Sequence, residues 1–302
     1  MTLAARLAAR IRASGPLTFA AYMEAALYDP EAGFYARGAR LGAGGHFATA
    51  PTAHPAFAAA VLAEVAAARD ALAVPAGFRV VEAGPGDGTL ARSLAGAARW
   101  VASAAELAPA PGFVVANELL DALPVHLVEP PHEILVGADG ERLVEERAPA
   151  PAGLLELLRA SGVEPRPGAR YAVRPGVDGL LAELAAALDP GRLLLVDYGG
   201  EGAEVHDGRR PPVRSYVAGQ PGGDPLLAPG RQDLTADVDF GHVRRVAAGL
   251  GLRELRWSHQ ADWLEAHGAS LPPPVERSDE DWRLAGLLDR RLPFRVLLLE
   301  RA

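Results

Sequence analysis

The chain has 302 residues, with 30 basic against 38 acidic side chains and a net charge of −8, and its pI is near 5.5; this balance argues against general nucleic-acid binding, which calls for a basic face. Cysteine and lysine are both absent, which excludes disulfides, thiolate ligands, a cysteine nucleophile and Schiff-base chemistry. No apolar run is long enough for a membrane span, and the length suits one large domain or a domain with a substantial insertion.

Leu3, Leu7 and Ile11 recur at four-residue spacing and predict a helix ended by Ser14-Gly15-Pro16. The Arg- and Ala-rich stretch Thr2 to Arg12 reads as that ordinary first helix rather than a transit peptide. Thr18 caps a second helix through Leu27. Gly33-Phe34-Tyr35 and Gly42 to Gly45 open a glycine-rich loop that ends in His46-Phe47-Ala48-Thr49-Ala50-Pro51, and Pro55 to Leu72 form a third helix. Residues 1–77 are therefore expected as an N-terminal helical cap, and 78–302 as the core. Val80 and Val81 belong to a buried strand, followed by Glu82, the three glycines Gly84, Gly86 and Gly88 with Pro85 between, and a helix opening at Thr89. Phe113 to Ala116 is a second strand ending at Asn117-Glu118, and Leu119 to Leu123 a short helix. An inserted β-meander with a hairpin at Asp139-Gly140 is expected within about 125–175. Leu193 to Val196 is a further strand ending at Asp197-Tyr198, and Gly199 to Gly230 reads as a long functional loop. Helices and strands then alternate to the end. The pattern predicts an α/β fold with a mostly parallel, doubly wound sheet.

The spacing G-x-G-x-G, with an acid two residues earlier, differs from the G-x-G-x-x-G of dinucleotide folds. It resembles motif I of the class I S-adenosylmethionine (SAM) methyltransferases. SAM carries a sulfonium, an amino-acid tail and a ribose but no phosphate, so acidic and backbone groups suit it. Three strands end in polar residues: Glu82, Asn117-Glu118 and Asp197-Tyr198. In an open α/β sheet such ends meet over one crevice. Asn117 is the only asparagine in the chain. Glu118, Asp121 and Asp197, with no lysine to neutralise them, form a candidate seat for a cation, and a guanidinium fits paired carboxylates bidentately. No H-E-x-x-H pattern suggests a metal site, and no G-x-S-x-G elbow a hydrolase.

Taken together, the motifs resemble the MidA family of SAM-dependent methyltransferases, the mitochondrial complex I assembly factors described as protein arginine methyltransferases and their bacterial relatives. The resemblance rests on Thr18 to Met23, Leu27-Tyr28-Asp29-Pro30 with Gly33-Phe34-Tyr35, Phe47 to Pro51, Glu82 to Leu90, Ala116 to Pro124, Asp197-Tyr198-Gly199, Asp224-Pro225-Leu226, Pro229-Gly230 and Asp233 to Phe240. It implies a class I SAM-methyltransferase, Rossmann-like fold and methyl transfer to a protein arginine, on a complex I subunit-like target. It further implies a cofactor site of Glu82, Gly84, Pro85, Gly86, Gly88, Thr89 and Asn117, with Glu118, Asp121 and Asp197 on the guanidinium. A protein substrate is implied, a homodimer is compatible, and the setting is cytoplasmic in a bacterium or the mitochondrial matrix in a eukaryote. Two positions depart from the family: His46 stands where an aspartate is usual, and Thr52 where a glutamate is usual. The segment between Thr89 and Asn117 is also short for the family's extra strand–helix unit, whose acid holds the ribose. We favour deletion of that strand, which leaves Glu106 a loop residue; the alternative keeps Glu106 as the ribose acid. These departures support a rival reading, a fold that binds or assembles without catalysis.

Overall fold

The structure, a computed structural model, describes residues 1–36, 50–73, 77–86, 88–94, 98–101, 108–207 and 210–302, at 98–101 for the backbone only. The expectations for Gly42 to Gly45, His46, Phe47, Ala48, Thr49 and Glu106 fall outside these residues.

The chain begins with α1 (Leu3–Ser14), β1 (Leu17–Thr18) and α2 (Phe19–Tyr28). Both helices start at a threonine whose hydroxyl accepts a backbone N–H, from Ala5 at 3.2 Å and from Ala21 at 3.1 Å, as capping predicts. Next come α3 (Ala50–Ala53), α4 (Pro55–Ala71), β2 (Arg79–Ala83), α5 (Thr89–Ser93), β3 (Ala98–Val101) and β4 (Ala110–Asn117). The middle of the chain supplies β5 (His126–Glu129), β6 (His132–Asp139), β7 (Arg142–Pro149), α6 (Ala152–Ala160), β8 (Tyr171–Val173) and α7 (Gly176–Ala186). After β9 (Leu188–Gly200), the stretch expected as one long loop carries α8 (Gly202–Val205), β10 (Arg214–Val217) and β11 (Gln220–Pro221). The chain closes with β12 (Asp233–Thr235), β13 (Val238–Asp239), α9 (Phe240–Gly249), β14 (Arg253–His259), α10 (Gln260–Ala266), α11 (Asp279–Leu287) and β15 (Phe294–Arg301).

Two compact units result. One comprises Leu41–Leu119, Asp178–Gly199 and Val243–Ala302. Its strands run in the order β14-β15-β9-β4-β2-β3. From β3 through β2 and β4 to β9 the pairing is parallel; the last strand, β15, enters antiparallel between β9 and β14. The sheet is thus mixed at one edge. The core holds Phe57 and Val61 from α4, Val80, Phe113, Leu194 and Val296 from the sheet, and Trp263 from α10. The indole N–H of Trp263 finds its acceptor in the buried Glu64, at 3.1 Å, which satisfies the one polar atom that burying a tryptophan strands.

β3 corrects the expected deletion. A strand does follow α5 and pairs with β2 from Val80↔Ala98 to Ala83↔Val101. A very short α5, five residues long, economises on chain and leaves room for it.

The other unit comprises Met1–Arg40, Leu120–Val177 and Gly200–His242. The expected meander is β5-β6-β7, all antiparallel, with β8 added beside β5 and β1 beside β6. Gly140 closes the β6–β7 hairpin at φ +62°, a conformation that favours glycine. Leu120 to Leu123 form turns rather than the short helix expected, since Pro124 leaves too few residues for a helix to repay its nucleation.

Candidate active site

The parallel sheet places its polar strand ends side by side. β4 is central, with Ala83↔Ala116 pairing it to β2 and Asn117↔Val196 to β9. Glu82, Asn117-Glu118 and Asp197 therefore line the carboxyl edge of three adjacent strands, as the sequence predicts.

The turn after β2 explains its glycines. Gly84, Gly86 and Gly88 have φ of +67°, +52° and +81°, where a Cβ clashes with the backbone. Gly88 N–H donates to the Pro85 carbonyl at 2.8 Å, closing the turn, and Gly88 then starts α5. Thr89 begins that helix and its hydroxyl accepts from Arg92 Nη2 at 2.8 Å. A Cβ on Gly84 would lie 2.6 Å from Leu119 Cδ1, so the glycine turn abuts the residue that follows Asn117-Glu118.

Glu118 is held at φ +48°. A bulky L-residue adopts this conformation only when its surroundings over-determine it, and such strain concentrates at functional sites. The constraints are visible. Glu118 N–H donates to the Val196 carbonyl at 2.8 Å, and its Oε1 accepts from Asn117 Nδ2 and from Ala50 N–H, each at 3.2 Å. Asn117 Oδ1 is buried and has no hydrogen-bond partner among the described residues. Glu82 is buried at 5 % exposure and Asp197 at 0 %; Asp197 Oδ1 accepts from Tyr198 N–H at 2.9 Å. An orphan acceptor, a strand-end carboxylate and a backbone opened by glycines are groups of the kind that orient a polar ligand.

Asp121 lies in the other unit. Its carbonyl accepts from Arg174 Nη2 at 3.2 Å and from Ala236 N–H at 3.1 Å. Arg174 is itself buried and also reaches the carbonyls of Leu123, Asp237 and Ala236. The Asp121 carboxylate acts on three neighbours the sequence reading did not single out as site residues: Tyr28, Tyr35 and Asp233. The two rings stack at 5.4 Å and 29°. Tyr28 Oη donates to the Ala122 carbonyl at 3.0 Å and Tyr35 Oη to Asp233 Oδ1 at 3.2 Å. Burial, reinforced by the charge on Asp121, pushes the Asp233 carboxyl up to about 7. Burial also pushes both phenols well above their usual range, helped by Asp121 at Tyr28 and by Asp233 at Tyr35. All three residues stand inside the quoted motifs.

A family model described as "Putative S-adenosyl-L-methionine-dependent methyltransferase" matches residues 92–257. The chain is 30% identical to the mitochondrial protein arginine methyltransferase NDUFAF7 homolog of Drosophila melanogaster, over 92% of this chain and 80% of that protein. It is 27% identical to the mitochondrial protein arginine methyltransferase NDUFAF7 of Danio rerio, over 80% of this chain and 71% of that protein. Among solved structures, a Burkholderia thailandensis protein bound to S-adenosyl-homocysteine superposes with a TM-score of 0.87 at 27% identity, covering 99% of this chain and 92% of that one.

Proposed function

The chain belongs to the family of SAM-dependent methyltransferases defined by that match, and on this premise we propose that it methylates an arginine side chain of a protein substrate. The arginine reading takes its support from the NDUFAF7 relatives, which are named protein arginine methyltransferases.

SAM supplies a methyl group on a sulfonium sulfur. We assign its binding to Glu82, Gly84, Pro85, Gly86, Gly88, Thr89 and Asn117. The glycines keep Cβ atoms away from the approach, Pro85 and Thr89 fix the two ends of the turn, and Asn117 offers a desolvated acceptor. Glu118, Asp121 and Asp197 are assigned to the acceptor side of the reaction. A guanidinium must present a nitrogen lone pair in line with the methyl. Carboxylates hold the cation in place and draw its charge toward the nitrogens they bond, so that positioning and electrostatics carry the catalysis. Asp197 is fully buried, with its Oδ1 held by the Tyr198 N–H.

The observation that carries this reading is Glu118, strained at φ +48° at the end of the central strand beside the orphan oxygen of Asn117. The rival reading of a fold without catalysis drew on a missing ribose strand and on the departures at His46 and Thr52; β3 supplies the strand. Among the described residues no helix is long and apolar enough to cross a membrane. The compartment follows the source: cytoplasm in a bacterium, the mitochondrion in a eukaryote, as for the named relatives.

Isothermal titration with SAM and with S-adenosyl-homocysteine tests the cofactor site. Binding in the micromolar range, lost in Gly86→Val, is expected; no heat and no thermal shift with either ligand would sink the reading. Transfer of labelled methyl to an arginine peptide, but not to its lysine counterpart, tests the acceptor.

A further inference from the structure

Asp233 is a buried carboxyl, 6 % exposed. Its hydrogen bonds come from Tyr35 Oη and its neighbour Leu234. Among the described residues no Arg or His forms an ion pair with it. A buried acid without a cation is costly and is ordinarily removed or paired. Two residues along the same strand, and so on the same face, Thr235 Oγ1 is also buried, at 3 % residue exposure, and has no hydrogen-bond partner among the described residues. The Asp121 carboxylate bears on the same group. Tyr28 and Tyr35, whose rings stack, are 37 % and 38 % exposed as residues, so the aromatic pair borders solvent beside the buried carboxyls.

Carboxylates, an orphan hydroxyl oxygen and a partly exposed tyrosine pair together describe a receptor for a flat cation. A guanidinium stacks on an aromatic ring and donates to carboxylates in its own plane, whereas an ammonium is a compact, strongly hydrated point charge. We propose that Asp121, Asp233 and Thr235, walled by Tyr28 and Tyr35, form the seat that recognises the guanidinium of the arginine to be methylated. This rests on the arginine-methyltransferase reading and names the residues that select the acceptor. Arg174 is the resident cation nearby, and its hydrogen bonds to four carbonyls fix the backbone on which the seat is built.

The test is titration of the full chain with methylguanidinium and, separately, with methylammonium, for the native protein and for Asp233→Asn, Thr235→Val and Tyr35→Phe, with S-adenosyl-homocysteine titrated into each. Methylguanidinium should bind in preference to methylammonium. Asp233→Asn should weaken it about tenfold or more, the scale of a hydrogen bond to a charged group, and Thr235→Val and Tyr35→Phe by less, while S-adenosyl-homocysteine binding stays unchanged. The isosteric Thr235→Val keeps the test decisive if Asp233→Asn fails to fold. Equal methylguanidinium binding in native and variant chains, equal affinity for the two cations, or no binding of either overturns the seat. In those cases retained S-adenosyl-homocysteine binding leaves the methyltransferase reading standing. Loss of S-adenosyl-homocysteine binding in the native chain, with methylguanidinium binding still lost in the variants, supports the seat and removes the cofactor site.

Discussion

The strand-end site of the parallel unit and the tyrosine–aspartate cluster of the antiparallel unit are built by opposite means. The first is made of backbone: three glycines at positive φ, one strained glutamate and the register of three strands. The second is made of side chains on an ordinary backbone, with two partly exposed, stacked tyrosines set against buried carboxyls. A backbone site breaks when the shape of the chain is altered. A side-chain site breaks when charge is removed at constant shape.

Asp233 should give the largest effect. It holds its proton up to about pH 7 when folded, against a reference carboxyl value of 3.8. Its contribution to stability is therefore full below the unfolded value and is lost as pH rises through the folded one. In urea unfolding, Asp233→Asn should flatten the pH dependence between about 4 and 7 by up to the order of 4 kcal/mol; an unchanged slope would break the comparison on the side-chain half. Gly86→Val comes next, since a β-branched residue is an outlier at positive φ. SAM affinity should fall by about a hundredfold, roughly 2.7 kcal/mol, and titration calorimetry reads it.

Glu118 sharpens the comparison at a smaller scale. Glu118→Ala and Glu118→Gly both delete the carboxylate and should both lose methyl transfer. The glycine variant should nevertheless be the more stable by about 1 kcal/mol, because it tolerates φ +48° where alanine pays for its Cβ. Chemical denaturation of the pair isolates the backbone term from the side-chain term. Tyr28→Phe should do least. Its hydroxyl reaches a carbonyl, so only one neutral hydrogen bond is lost, about 1 kcal/mol, and steady-state kinetics should show a modest rise in KM with kcat kept.

The backbone site was legible in the sequence because its requirements are local. Glycine suits the φ of Gly84, Gly86 and Gly88, and a short β-branched apolar run ending in an acid marks a strand end. The cluster was not legible in the same way. The Tyr28–Tyr35 pair, Asp121 and Asp233 are far apart along the chain, and no periodicity brings them together. β3 was missed for a related reason: pairing with β2 builds a strand in a segment that looked too short to hold one. The helix expected over Leu119 to Leu123 fails because apolar spacing does not weigh the cost of nucleating a helix that Pro124 cuts short.

The fit of Gly84 against Leu119 has a consequence for how such a sequence can change over generations. A Cβ at Gly84 would meet Leu119 Cδ1 at 2.6 Å, so the two motifs share one small volume despite their separation in the chain. Trimming Leu119 makes room for alanine at 84 but leaves its φ of +67° uncompensated. Drift is therefore one-sided. Position 119 can vary among lineages while 84 stays glycine, and a descendant that lost the glycine would have to rebuild the turn rather than repack it.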